Sequence, residues 1–106
     1  ELHYAKMAEK YRGYGVPKES LFPASFGHIV GGYDAGYYLY LWSLVYSDDF
    51  FSRFKKEGVM NKKVGKPFRD EILTPGGDRD EVQSAEAFLG RPMNNKAFLK
   101  NLGVKK

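Results

Sequence analysis

A chain of 106 residues has room for one small domain with a modest core, and a 16% aromatic content excludes a disordered segment. With no cysteine there are no disulfides or thiolate metal sites, which suits a reducing cytoplasmic setting. The formal charge of +4 comes from lysines at 55–56, 62–63, 66 and 105–106 interleaved with acids, not from a basic stripe bearing stacking aromatics, so nucleic acid is not an expected partner.

Residues 2–12 read as a helix, with Tyr4, Ala8 and Tyr11 at i, i+4 and i+7 and Met7 beside them. Gly13 and Gly15 end it. No N-cap precedes Leu2, no signal peptide is visible and the first residue is Glu, so the chain need not begin where its gene begins. Residues 15–24 contain Pro17 and Pro23 and are expected to be extended or loop-like, because proline disfavours helix in the residue before it. Gly27, Gly31, Gly32 and Gly36 then crowd one segment. Each would cost about 1 kcal/mol inside a helix relative to alanine. The segment is therefore a sharply turning loop or a place where another chain comes close. It is not a phosphate cradle, since no lysine-serine or lysine-threonine pair follows.

A long helix is predicted over 34–57, with Asp34 at its start and Gly58 just past its end. Tyr37, Tyr38, Leu41, Trp42, Leu44, Val45, Tyr46, Phe50, Phe51 and Phe54 cover nearly its whole circumference, which places it at the centre of the fold. Only its last two turns, with Asp48, Asp49, Arg53, Lys55 and Lys56, have an ordinary polar face. Its most apolar run, residues 37–46, is far below the roughly 20 residues that span a bilayer, so no membrane is expected. Asn61 caps a helix over about 62–74 that turns Val64, Phe68, Ile72 and Leu73 inward and ends at Pro75-Gly76-Gly77. Asp78 or Asp80 caps another over about 79–89, with Val82, Ala85, Phe88 and Leu89 inward. Asn94 or Asn95 opens a short last helix that Gly103 ends. No strand and no repeat is found, so the fold class is all-α, a single helical domain over 1–106 with about five helices around the central aromatic one.

Chemistry-bearing residues are few. His3 reads as a surface helix residue, and two histidines without spaced carboxylate partners make no zinc site. His28 differs, since Gly27 opens its backbone and tyrosines follow. Tyr33, Tyr37 and Tyr40 fall at i, i+4 and i+7, so a helix beginning near Tyr33 would line three phenols along one face. They form either a core stripe or a set of donors for a carbonyl that gains charge, since a buried phenol needs a partner.

The run from Phe26 through Tyr38, followed by Tyr40-Leu41-Trp42-Ser43, resembles the C-terminal part of the M3 family of zinc metallopeptidases (the thimet oligopeptidase and neurolysin family). The likeness continues through Val45-Tyr46-Ser47, residues 54–61, Arg69, Ile72-Leu73, Pro75-Gly76-Gly77, residues 88–91 and Ala97-Phe98-Leu99. It implies a helical part of a zincin-like catalytic domain that cleaves short peptides at internal bonds. By the resemblance, His28 contacts substrate near the scissile bond, and Tyr33 helps position it. Tyr37 and Tyr40 would hydrogen-bond the carbonyl oxygen as it becomes tetrahedral, opposite a polarising zinc. Gly27, Gly31, Gly32 and Gly36 would form the flexible loop that lets one cleft take varied peptides.

Two departures stand out. Leu39 replaces a glycine or small residue, and Leu44 replaces a glutamate. The family's H-E-x-x-H helix and its further glutamate ligand, which lie upstream, do not occur in this sequence. The resemblance therefore implies zinc in the full enzyme, none bound by this chain, an inactive isolated chain, and an upstream zinc-binding part of the same protein as partner. A different reading is a non-catalytic helical domain that self-associates or docks on another chain through apolar surface left on its central helix.

Overall fold

The structure is a computed structural model that describes residues 2–17 and 19–104. Among the described residues it is all-helical, with no strand. The chain divides into two compact units, residues 1–38 and 39–106.

The first unit holds α1 (Leu2–Arg12) and the four-residue α2 (Phe22–Ser25). Gly13 ends α1 with φ +78°, its N–H reaching the Glu9 carbonyl at 2.9 Å. Of the predicted apolar face only Ala8 is buried, while Tyr11 is 72% exposed. The expectation of loop throughout 15–24 is corrected by α2. Pro23 lies in its first turn, where no N–H is needed and the fixed φ of proline already suits a helix. A 3-10 turn, Gly27–Ile29, follows at once.

The second unit opens with α3 (Leu39–Glu57), not at Asp34 as predicted. Residues 34–38 form turns, and Asp34 caps no helix. Gly58 terminates α3 at φ +107°, where a Cβ would be strained. Asn61 caps α4 (Lys62–Phe68) by accepting the Lys63 N–H at 3.0 Å, and its amide donates back to the Glu57 carbonyl at 2.8 Å. Pro67 sits inside α4 and cannot bond back to the preceding turn. The chain then widens into a π-helical turn, Arg69–Leu73, closed by the Thr74 N–H on the Arg69 carbonyl.

Asp80 is the cap of α5 (Glu81–Leu89), accepting from the Val82 and Gln83 N–H groups at 2.9 and 3.1 Å. Asn94 supplies the first bond of α6 (Lys96–Asn101), taking the Lys96 N–H at 3.0 Å. Val64, Ala85 and Phe88 are fully buried at the centre of this unit. Around Phe88 the rings of Phe50, Phe54 and Phe68 stand at 5.5, 5.9 and 5.3 Å, mostly edge to face. Such pairs contribute about 0.5–1.5 kcal/mol each beyond the area they bury. Leu73 and Val82, predicted to face inward, are 62% and 48% exposed.

The largest correction concerns α3. Its residues from Leu39 to Trp42 and Leu44 are about half exposed, while Val45 and Asp49 are buried. It is therefore not enclosed on all sides. Within this unit it meets α4, α5 and α6, while its first turn, Leu39 to Trp42, stays about half exposed. The stripe that turns inward at Val45 and Asp49 continues back to Leu41 and Trp42, one turn earlier on the same face. No helix among the described residues is long and apolar enough to cross a membrane.

Candidate functional site

The site residues of the first unit are drawn together by backbone turns. The 3-10 turn places its bonds in sequence: Ile29 N–H to the Phe26 carbonyl, then Val30 N–H to that of Gly27. His28's carbonyl accepts twice, from Gly31 N–H at 3.3 Å and from Tyr33 N–H at 3.0 Å. The longer of these loops closes through Gly32, at φ +89°, so the turn needs a residue without Cβ there. Gly31 is required for a different reason. A Cβ on it would lie 2.9 Å from the Gly27 carbonyl oxygen, closer than real Cβ contacts come. The chain then folds again, with the Gly36 and Tyr37 N–H groups both on the Tyr33 carbonyl at 3.3 and 3.1 Å. Three turns in a row thus return the rings of residues 28, 33 and 37 to one place.

His28 stands 5.4 Å from Tyr33 and 5.4 Å from Tyr37 by ring centroid, edge-on to both at 75°. Tyr33 and Tyr37 are 39% and 46% exposed, so both rings remain within reach of a ligand. The phenols do not come together as one helix face, because the segment 33–38 is turned and not helical. Tyr40 lies in the first turn of α3, in the second unit, and is half exposed. An imidazole and two phenols side by side present one group able to give or take a proton and two hydroxyl donors. Such a set can both donate and accept hydrogen bonds.

Phe26 opens the run that carries the resemblance, but neither it nor its aromatic neighbours has a role there. Phe26 packs on His28 at 5.3 Å and on Tyr37 at 4.9 Å, and behind it Phe22 and Tyr4 stack in turn at 5.5 and 4.9 Å. The signal lay in the spacing Phe22, Phe26, His28, which brackets the start of the glycine-rich segment. No three His, Asp or Glu side chains converge as a metal-binding group among the described residues, so the set present does not fit a zinc ion.

In the second unit the neglected residue is Asp49. It is 1% exposed and accepts two bonds from the Arg91 guanidinium, at 2.9 and 2.5 Å, and a third from the Asn94 N–H at 2.9 Å. Burial on its own would raise the Asp49 carboxyl, but the Arg91 bonds and charge, with the Asn94 N–H, hold it below the ordinary carboxylate value. The same bonds push the Arg91 guanidinium up. Arg79 similarly ties the π-helical turn to α5, donating to the Glu71 carboxylate and to Ser84 Oγ, both at 2.9 Å. A hollow lined by Arg53, Lys56, Gly90 and Arg91 lies beside the end of α5, but Arg53 is taken up by Glu57 and the Phe88 carbonyl and Arg91 by Asp49. These are contacts of architecture.

Comparison with known proteins agrees with the resemblance seen in the motifs. A thimet-like oligopeptidase of Dictyostelium discoideum is 48% identical over 80 residues, which is 76% of this chain and 12% of that protein. Oligopeptidase A of Escherichia coli (strain K12) is 43% identical over 90 residues, 84% of this chain and 13% of that protein. Saccharolysin of Saccharomyces cerevisiae is 44% identical over 82 residues, 76% and 11% respectively. The chain thus spans about an eighth of the length of the curated relatives it matches. The pattern of Peptidase family M3 matches residues 1–104, almost from end to end, and the chain belongs to that family.

Proposed function

We propose that this chain supplies the peptide-binding side of an oligopeptidase active site and is inactive by itself. The observation that carries the reading is the ring cluster of His28, Tyr33 and Tyr37 on a loop of successive turns that need glycine at 31 and 32. His28 and Tyr33 hold the backbone of a short peptide, and Gly27, Gly31 and Gly32 keep the loop thin enough to lie along it. Tyr37 and Tyr40 donate hydrogen bonds to the carbonyl oxygen as it gains negative charge. Since the described residues do not fit a zinc ion, the metal expected of the family belongs to the upstream part of the protein, and the work assigned to this chain is binding and orientation. A cytoplasmic place of action goes with this reading.

The test is a chimera in which this chain replaces the matching segment of oligopeptidase A. The chimera is expected to cleave a quenched fluorescent peptide, and the 106-residue chain alone is not. Tyr37→Phe and Tyr40→Phe should each lower kcat about a hundredfold with little change in KM, the pattern of a bond made only in the transition state. His28→Ala should act mainly on KM, and zinc content should stay the same in all three variants. Full activity in both phenylalanine variants, or chelator-sensitive cleavage by the isolated chain, would remove the reading.

A second reading rests on the exposed first turns of α3. Their apolar side chains fit a contact with a second copy of the chain or with another protein.

A further inference from the structure

Resting on the substrate-contact reading of His28 and Tyr37, we propose that Phe26 is their positioning residue: its ring sets the orientation of the imidazole and the phenol and anchors both to α1. Phe26, His28 and Tyr37 form a closed triangle, each ring within 5.4 Å of the other two by centroid. The interplanar angles are 35°, 78° and 75°, so the Tyr37 ring stands edge-on to both of the others. Edge-to-face aromatic pairs favour that geometry over its alternatives, and a ring with two such neighbours has its plane fixed twice.

Of the three, Phe26 is the one partly covered, while His28 and Tyr37 are exposed. Its side chain carries no polar atom and can give a substrate nothing but shape. What it can do is hold. Between Phe26 and His28 stands only Gly27, which has no side chain to restrain the turn. Behind Phe26, Phe22 lies at 5.5 Å and 22°, and Tyr4 of α1 lies at 4.9 Å and 14° from Phe22. A continuous stack therefore runs from a regular helix to the rings of a glycine-rich loop. It lets the loop stay thin while its functional rings do not swing.

The experiment is proton NMR on the 106-residue chain with labelled histidine, together with binding of a dye-labelled short peptide. In the unaltered chain, His28 ring protons should show nuclear Overhauser contacts to both Phe26 and Tyr37. Their absence overturns the proposal without any variant. Phe26→Leu should abolish the His28–Tyr37 contact and weaken peptide binding about fivefold, the weight of a lost aromatic pair. Phe26→Tyr, which keeps the ring, should restore both.

A leucine variant that keeps the His28–Tyr37 contact, or loses it with peptide affinity unchanged, overturns the proposal. So does a leucine variant that Phe26→Tyr matches. If the unaltered chain binds no peptide, the substrate-contact reading falls with this probe, and the ring contacts still decide whether Phe26 positions the pair.

Discussion

Asp49 shows how much a single side chain can carry and how little its local sequence says about it. By helical position it belongs with Asp48, Arg53 and Lys56, the ordinary polar end of α3. In the structure it is buried, and its partner stands 42 positions away, at the break after α5. Periodicity within one helix carries no information about such a pairing. The two partners are not equivalent: the Asp49 side chain is 2% exposed and that of Arg91 is 39%. Arg91→Met leaves a buried carboxylate without its counter-charge and should cost about 3–5 kcal/mol in denaturant unfolding. Asp49→Asn leaves a guanidinium that can turn to water, and should cost visibly less. The sign of the pH dependence follows from the lowered carboxyl value. The stability is present above the unfolded-state value of about 3.9 and is lost as pH falls through the lower folded-state value. The unfolding free energy of Asp49→Asn should accordingly be flatter with pH than that of the unaltered chain below about pH 4. Equal costs for the two substitutions would contradict the account.

At the level of elements, what could be read in advance was what local chemistry dictates. Gly58 ends its helix at positive φ, and Asn61 and Asp80 accept the first N–H groups of theirs, as their positions implied. The start of α3 was misplaced by five residues because Asp34 has the chemistry of a cap and Tyr37-Tyr38 the hydrophobicity of a helix. What overrides them is the succession of turns from His28 to Tyr37, which spends those N–H groups on local carbonyls. The glycines of this segment are not interchangeable. A methyl on Gly31 would collide with backbone, the Gly27 carbonyl at 2.9 Å, and backbone cannot step aside as a side-chain tip can. A methyl on Gly27 meets nothing within 4 Å. Gly31→Ala should therefore open the 27–31 turn and release the His28–Tyr33 ring contact, at about 1–3 kcal/mol of local strain. Gly27→Ala should keep that contact. The ring contact is read by NMR, and its survival in Gly31→Ala would show the turn to be looser than its geometry.

On the scale of the whole chain, the unresolved balance is between the buried and the open parts of one helix. The second unit is well closed around Phe88, yet Leu41 and Trp42, on the face that two turns later is buried, are 53% and 59% exposed. Apolar composition points to an enclosed α3, whereas the first turn of the helix stays open within this unit. The matched relatives are about six times as long as this chain, since 80 residues make up 12% of one and 90 make up 13% of another. If contact between copies of the chain is how the face is satisfied, then association is concentration-dependent and resides in those two side chains. Light scattering of the purified chain should give a mass above that of the monomer at high concentration and return toward it on dilution. Leu41→Ser with Trp42→Ser should give the monomer throughout, with an unchanged circular dichroism spectrum, because both residues lie outside the closed core. A strict monomer at every concentration for the unaltered chain would remove self-association. The open face would then be exposed apolar surface that the isolated chain simply tolerates, at the expense of stability and solubility.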